Sequence, residues 1–123
     1  MSLILVVEDE MNLAMMMEDL LTGAGHSVVK AARLSKALAL AASEPLDCAF
    51  LDINVAGEQV FPLAFELRRR RVPFAFTSGY GADGIPAPFV ECTIMQKPYM
   101  PQQLLDVLST LLERDGSGLP VPG

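Results

Sequence analysis

A chain of 123 residues with two cysteines and a net charge of −6 has room for one ordinary domain around a single core, with no disulfide framework to hold it. The acidic balance speaks against a nucleic-acid surface, which relies on Lys and Arg to neutralise phosphates. The apolar runs fall short of the roughly 20 residues of a membrane span, and no basic segment leads into an apolar one as a secretory signal requires, so the expected location is the cytoplasm.

Residues 3–7, "LILVV", are apolar on both faces, as a central parallel strand should be, and run directly into Glu8, Asp9 and Glu10. A helical period follows over 11–22. Its Met11, Met15, Met16 and Met17 suit a stripe that is part core and part adaptable contact surface. Gly25 and His26 form a turn, with a structural role expected for the histidine, before a second strand over 27–32 and a helix over 35–43. The third strand, 48–53, ends at Asp52. A helix over 59–70 closes in Arg68, Arg69, Arg70 and Arg71, cations that complement the negative end of the macrodipole.

The fourth strand, 74–77, ends in the hydroxyls Thr77 and Ser78. Residues 79–89 then carry Gly79, Gly81, Gly84, Pro86 and Pro88, which oppose almost any helical register, so a loop or single turn is expected. A fifth strand over 93–96 delivers Lys97 and Pro98. The helix over 101–114 shows its buried stripe best, with Leu104, Leu105, Leu108, Leu111 and Leu112 at spacings of three and four, Pro101 in the first turn and Gly116 past the end. Residues 1–115 read as the domain and 116–123 as a flexible tail, with no output domain in this chain. Cys48 and Cys92 read as buried free thiols.

Short strands alternating with helices describe a parallel α/β sheet, and such sheets bind ligands beyond the carboxyl ends of their strands. If the first and third strands are neighbours, Glu8, Asp9 and Asp52 meet at one point, where each negative charge opposes ionisation of the next. A divalent cation relieves that cost. Mg2+ is the natural candidate, since it takes a few carboxylates and leaves its other positions to water and phosphate oxygens. Taken alone, Glu8, Asp9 and Glu10 fit a solvated helix start better, where acids suit the dipole. The hydroxyls at 77 and 78 and the ammonium of Lys97, delivered to the same rim, favour the metal-holding corner.

This ordered set, Glu8-Asp9, Asp52, Ser78 and Lys97-Pro98, closely resembles the receiver domain of two-component response regulators, from Leu3 to about Arg114. The stretch from Pro73 to Tyr80, "PFAFTSGY", resembles the PFxFATGY signature of the FAT GUY subgroup, mostly stand-alone receivers of alphaproteobacteria. The resemblance implies a three-layer, doubly wound, flavodoxin-like fold with five parallel strands in the order 2-1-3-4-5 and a fourth helix that is short or absent. It implies that Asp52 accepts a phosphoryl group from a histidine kinase or histidine phosphotransfer protein, with Mg2+ as cofactor and no nucleic acid or membrane as partner. Asp9 would ligate Mg2+ directly, Glu8 through water and Asn54 through its backbone carbonyl. Lys97 would pair with one phosphoryl oxygen and Ser78 with another, and a cis peptide at Lys97-Pro98 is a frequent family feature.

Three positions depart from the family pattern. Ser78-Gly79 stands for the usual Thr and small residue, leaving Thr77 as a rival switch hydroxyl; Ile94 replaces the switch aromatic; and Val55-Ala56-Gly57 loses the usual proline. These departures, with the glycine-rich 79–89 stretch, suggest that phosphorylation acts by ordering that stretch. Two other classes fit less well. One is a binding module that keeps the fold without phosphorylation. The other is an aspartyl-phosphate phosphohydrolase, which needs a second acid where this chain has Asn54.

Overall fold

The computed structural model describes residues 2–79 and 84–113. Five strands, β1 (Leu3–Val7), β2 (Ser27–Ala31), β3 (Cys48–Asp52), β6 (Phe74–Ser78) and β7 (Ile94–Gln96), form one parallel sheet in the order β2-β1-β3-β6-β7. With the short hairpin strands β4 (Asn54–Val55) and β5 (Glu58–Gln59) set aside, this is the expected order 2-1-3-4-5. The helices are α1 (Met11–Gly23), α2 (Leu34–Ser43), α3 (Phe61–Arg69) and α4 (Pro101–Leu112).

Side chains alternate across the strands and divide the core into two layers. Ile4, Val6 and Phe50 pack with Met17, Leu21, Leu104, Leu108 and Leu111 of α1 and α4. Leu5, Val7 and Leu51 pack with Ala37, Ala41, Leu63 and Leu67 of α2 and α3. Because β1 and β3 are covered on both faces, their side chains have no solvent face, which explains their uninterrupted apolar sequence. Met17 lies in the core while Met11 and Met15 are exposed, so the methionine stripe is divided as expected. Both cysteines are free and buried, and His26 Nδ1 accepts a bond from the Ser2 N–H at 3.3 Å.

The boundaries differ from expectation where long-range contacts intervene. The third helix starts at Phe61 rather than 59, because Glu58 and Gln59 form the second strand of the hairpin. Ala56 and Gly57 turn that hairpin with φ of 51° and 86°, the left-handed pair that a two-residue turn needs. Helix α3 ends in a Schellman motif, with the Arg71 N–H on Arg68 O at 3.1 Å and the Val72 N–H on Leu67 O at 2.9 Å. Arg71 takes the left-handed position there, φ 59°, where glycine is usual.

Between β6 and β7 the described residues contain a single 3-10 turn, Ala87–Phe89, in line with the loop or turn expected. Residues 80–83 and the predicted tail, 116–123, lie outside the described residues. The rest of the 79–89 stretch is anchored: Phe89 is fully buried and meets the rings of Phe61, Phe65, Phe74 and Phe76 at centroid distances of 4.7–6.0 Å. No helix among the described residues is long and apolar enough to cross a membrane.

Candidate functional site

The sheet register brings the acids together. Val7 pairs with Leu51 across β1 and β3, so the next residues, Glu8 and Asp52, leave neighbouring strands at the same level. Asp52 pairs with Thr77 on its other side. Ser78 pairs with Gln96, and the Lys97 N–H continues that ladder onto Ser78 O at 2.8 Å. Residues up to 89 positions apart in sequence reach one rim because each ends or directly follows a strand that stops there.

The three acids at the start of α1 have separate roles. Glu10 caps the helix, its carboxylate accepting the N–H groups of Asn12 at 3.2 Å and Leu13 at 2.6 Å. Glu8 turns inward and is buried. Asp9 is exposed and reaches across to the hairpin, where its Oδ2 accepts the Ala56 N–H at 2.9 Å. One ligand oxygen from each of Glu8, Asp9 and Asp52 lies within 4.8 Å of the others. The helix-start reading thus holds for Glu10 and fails for its two predecessors.

Lys97 stands between two of these carboxylates. Its Nζ donates to Asp52 Oδ2 at 2.9 Å and forms an ion pair with Glu8 Oε1 at 2.8 Å. The Glu8 contact is close but poorly aligned for a hydrogen bond, and Oε1 has no aligned partner among the described residues. The charge attraction survives misalignment, so the ion pair is the better description of that contact. Oε2 of Glu8 accepts the Glu10 N–H at 3.1 Å.

Burial pushes the Glu8 carboxyl from an ordinary 4.5 up to about 7; Lys97 and the Glu10 N–H pull it down, and Asp52 pushes it further up. Burial alone would lower Lys97, but the two carboxylates outweigh it and its pKa is raised. The ammonium therefore stays charged at neutral pH. Tyr99, buried beside the site, is also raised, first by burial and then by Glu8 and Asp52. The Lys97-Pro98 peptide is cis.

A cleft of about 580 Å3 opens over Asp52, lined by Asp9, Asp52, Ile53, Asn54, Gln59, Ser78, Gly79 and Lys97. Asn54 lies at its wall, with its N–H 3.4 Å from Asp52 Oδ1. Of the two candidate hydroxyls, Ser78 is among the residues that line the cleft. Ile94, at the position expected for an aromatic, is half-buried against the core. Sequence reasoning missed Gln59. Its only local signal is Gly57, and that glycine does not reveal that the hairpin folds back over the cleft.

The family model described as the response regulator receiver domain matches residues 4–109. No curated protein is similar enough to match. Among solved structures, SdrG from Sphingomonas melonis is 34% identical with a TM-score of 0.80, over 91% of this chain and 97% of SdrG. TrrA from Thermotoga maritima, solved in complex with Mg2+ and BeF, is 23% identical with a TM-score of 0.81, over 91% and 100% of the two chains. A response regulator receiver protein from Sinorhizobium medicae is 24% identical with a TM-score of 0.78, over 93% and 96%. At those identities the last two speak for the fold alone.

Proposed function

Because the chain belongs to the response regulator receiver domain family, we propose that it takes a phosphoryl group from a histidine kinase or histidine phosphotransfer protein onto Asp52 and changes its affinity for a partner. The observation that carries this is the Asp52 carboxylate, held by Lys97 at 2.9 Å within a cluster of three acids. A strand end fixes the carboxylate, and the cleft leaves its outer side open to a donor. The PFAFTSGY stretch supports the FAT GUY subgroup within the family.

The acids suit Mg2+. Three carboxylate oxygens lie close together, one of them on a buried side chain with an unaligned oxygen, and oxygen donors of this kind are what the ion prefers. Asp9, Asp52 and the Asn54 carbonyl would hold it directly, with Glu8 reaching it through water. When bound, Mg2+ supplies positive charge to the oxygens of the transferring phosphoryl group.

In the transfer, an Asp52 oxygen forms a bond to phosphorus while the bond from phosphorus to the donor imidazole nitrogen breaks. The electron pair stays on the nitrogen, and Asp52 becomes an acyl phosphate. Lys97 moves its ammonium from the carboxylate to a phosphoryl oxygen, which its raised pKa allows because the proton is retained. Ser78 donates to a second oxygen and draws in Gly79, which leads toward the connection before β7. Beside the site, exposed Met11 and a groove lined by Leu13, Met16, Pro98 and Tyr99 support docking of the kinase's helical hairpin on α1.

Incubation with acetyl phosphate and Mg2+ is expected to add one phosphoryl group by mass, and Asp52→Ala to abolish it. A folded protein that stays unlabelled with both acetyl phosphate and phosphoramidate would leave a binding module as the better reading.

A further inference from the structure

We infer that Gln59 positions the water that hydrolyses the Asp52 acyl phosphate, so that the β4–β5 hairpin sets the lifetime of the signal. This inference rests on the phosphoacceptor reading. Asn54 and Gln59 are directly opposite each other in the hairpin, and opposite residues of an antiparallel pair share one face. Both line the cleft over Asp52 together with Lys97 and Ser78. Gln59 is exposed, and no protein hydrogen bond among the described residues ties up its carboxamide.

The hairpin is positioned firmly enough for such a task. Asp9 Oδ2 accepts the Ala56 N–H at 2.9 Å in its turn, Val55 is fully buried beneath it, and the Val60 N–H closes its base onto Ile53 O at 2.9 Å. Lys97 occupies the inner side of Asp52, so a phosphoryl group on that carboxylate extends into the cleft that the hairpin borders. The in-line water then approaches from the open side. A side-chain amide is too weak a base to take its proton, but its oxygen can accept a hydrogen bond and orient the attack, as glutamine does in other phosphoryl-transfer sites.

In this step the water oxygen bonds to phosphorus and the bond from phosphorus to Asp52 breaks. Its electron pair returns to the carboxylate, and both water protons leave on inorganic phosphate. Gln59 is a positioning residue for hydrolysis and has no part in the forward transfer.

The test uses the full chain labelled with acetyl phosphate and Mg2+, freed of donor, with loss of the phosphoryl mass followed over time. Gln59→Ala and the near-isosteric Gln59→Met are both expected to lengthen the half-life about five- to tenfold, the worth of one hydrogen bond. Their labelling rates and urea midpoints should match the wild type. Glu58→Ala, on the same short strand, should leave the half-life within about twofold, a substitution effect ordinary for an exposed site. Wild-type decay in both Gln59 variants with normal labelling overturns the inference, as does an equal slowing by Glu58→Ala, which would mark a general distortion of the hairpin. If the wild type itself takes no label, the phosphoacceptor reading fails, and this inference with it.

Discussion

Lys97 and Arg68 are both long cations folded back onto the body of the protein, and they are held in opposite ways. Lys97 is gripped by two carboxylates at 2.8 and 2.9 Å. Arg68 is gripped by neutral groups: it donates to Pro88 O at 2.6 Å and to Cys92 Sγ at 3.3 Å, and its guanidinium lies 4.6 Å from the ring centre of Phe89 and 5.9 Å from that of Phe74. Charged partners change when a metal or a phosphoryl group arrives, whereas carbonyls and ring faces do not. Under the proposed function the first region is the one that responds, while the second holds Pro88, Phe89 and Cys92 in place.

The strongest way to break the fixed region is Phe89→Ala. Removing a fully buried ring that touches four others should cost about 3–5 kcal/mol in urea unfolding. The folded fraction should still accept label at Asp52, because the ring makes no contact with the cleft. Loss of labelling in proportion to the folded fraction is acceptable; loss beyond it would mean that the two regions are not separable.

The responsive region should show itself through pH. The Glu8 carboxyl stands at about 7 in the fold against an ordinary 4.5, so between those values the native state holds more protons than the unfolded chain. Without a metal, stability should therefore fall as pH rises from about 4.5 to 7, by up to about 3 kcal/mol. Glu8→Gln should flatten this slope, and Mg2+ should raise the melting temperature more at pH 7.5 than at pH 5. The Glu66 carboxyl, held down to about 2 by Arg69 and Arg70, acts below this window and leaves the slope intact. A melting temperature independent of pH between 5 and 7.5 in the metal-free protein would contradict the buried acid.

The smallest effect belongs to Arg68→Leu. Loss of the ring contacts and the carbonyl bond should cost about 1–2 kcal/mol, independent of Mg2+ and of pH between 5 and 8. A substitution at Arg68 that changed the Mg2+ dependence would join the two regions and weaken the distinction drawn between them.

Most of the candidate site is legible in the sequence, because each of its parts ends or follows a short, mostly apolar run set between segments of helical period, and parallel strands bring their carboxyl ends to one edge. Asp52, Lys97 and Ser78 are readable on those grounds. Glu8 and Glu10 are not distinguishable locally, since both are acids beside a helix start. One caps that helix at Leu13 and the other pairs with Lys97, 89 residues away.

Leucine spacing in α4 and the double-sided apolar runs of β1 and β3 record burial directly, and so the chain's own pattern settles the layers and the strands. Two features were decided only by tertiary contacts: the hairpin at 54–59 and the anchoring of Phe89. Propensity opposes an alanine at positive φ, and five glycines and prolines say nothing of where a single phenylalanine will go. The hairpin depends on a bond from Ala56 to Asp9 across 47 residues, and Phe89 on a pocket of rings from α3 and β6. Such partners are fixed by the packed fold, because the free energy that holds them is gained only once the strands have assembled.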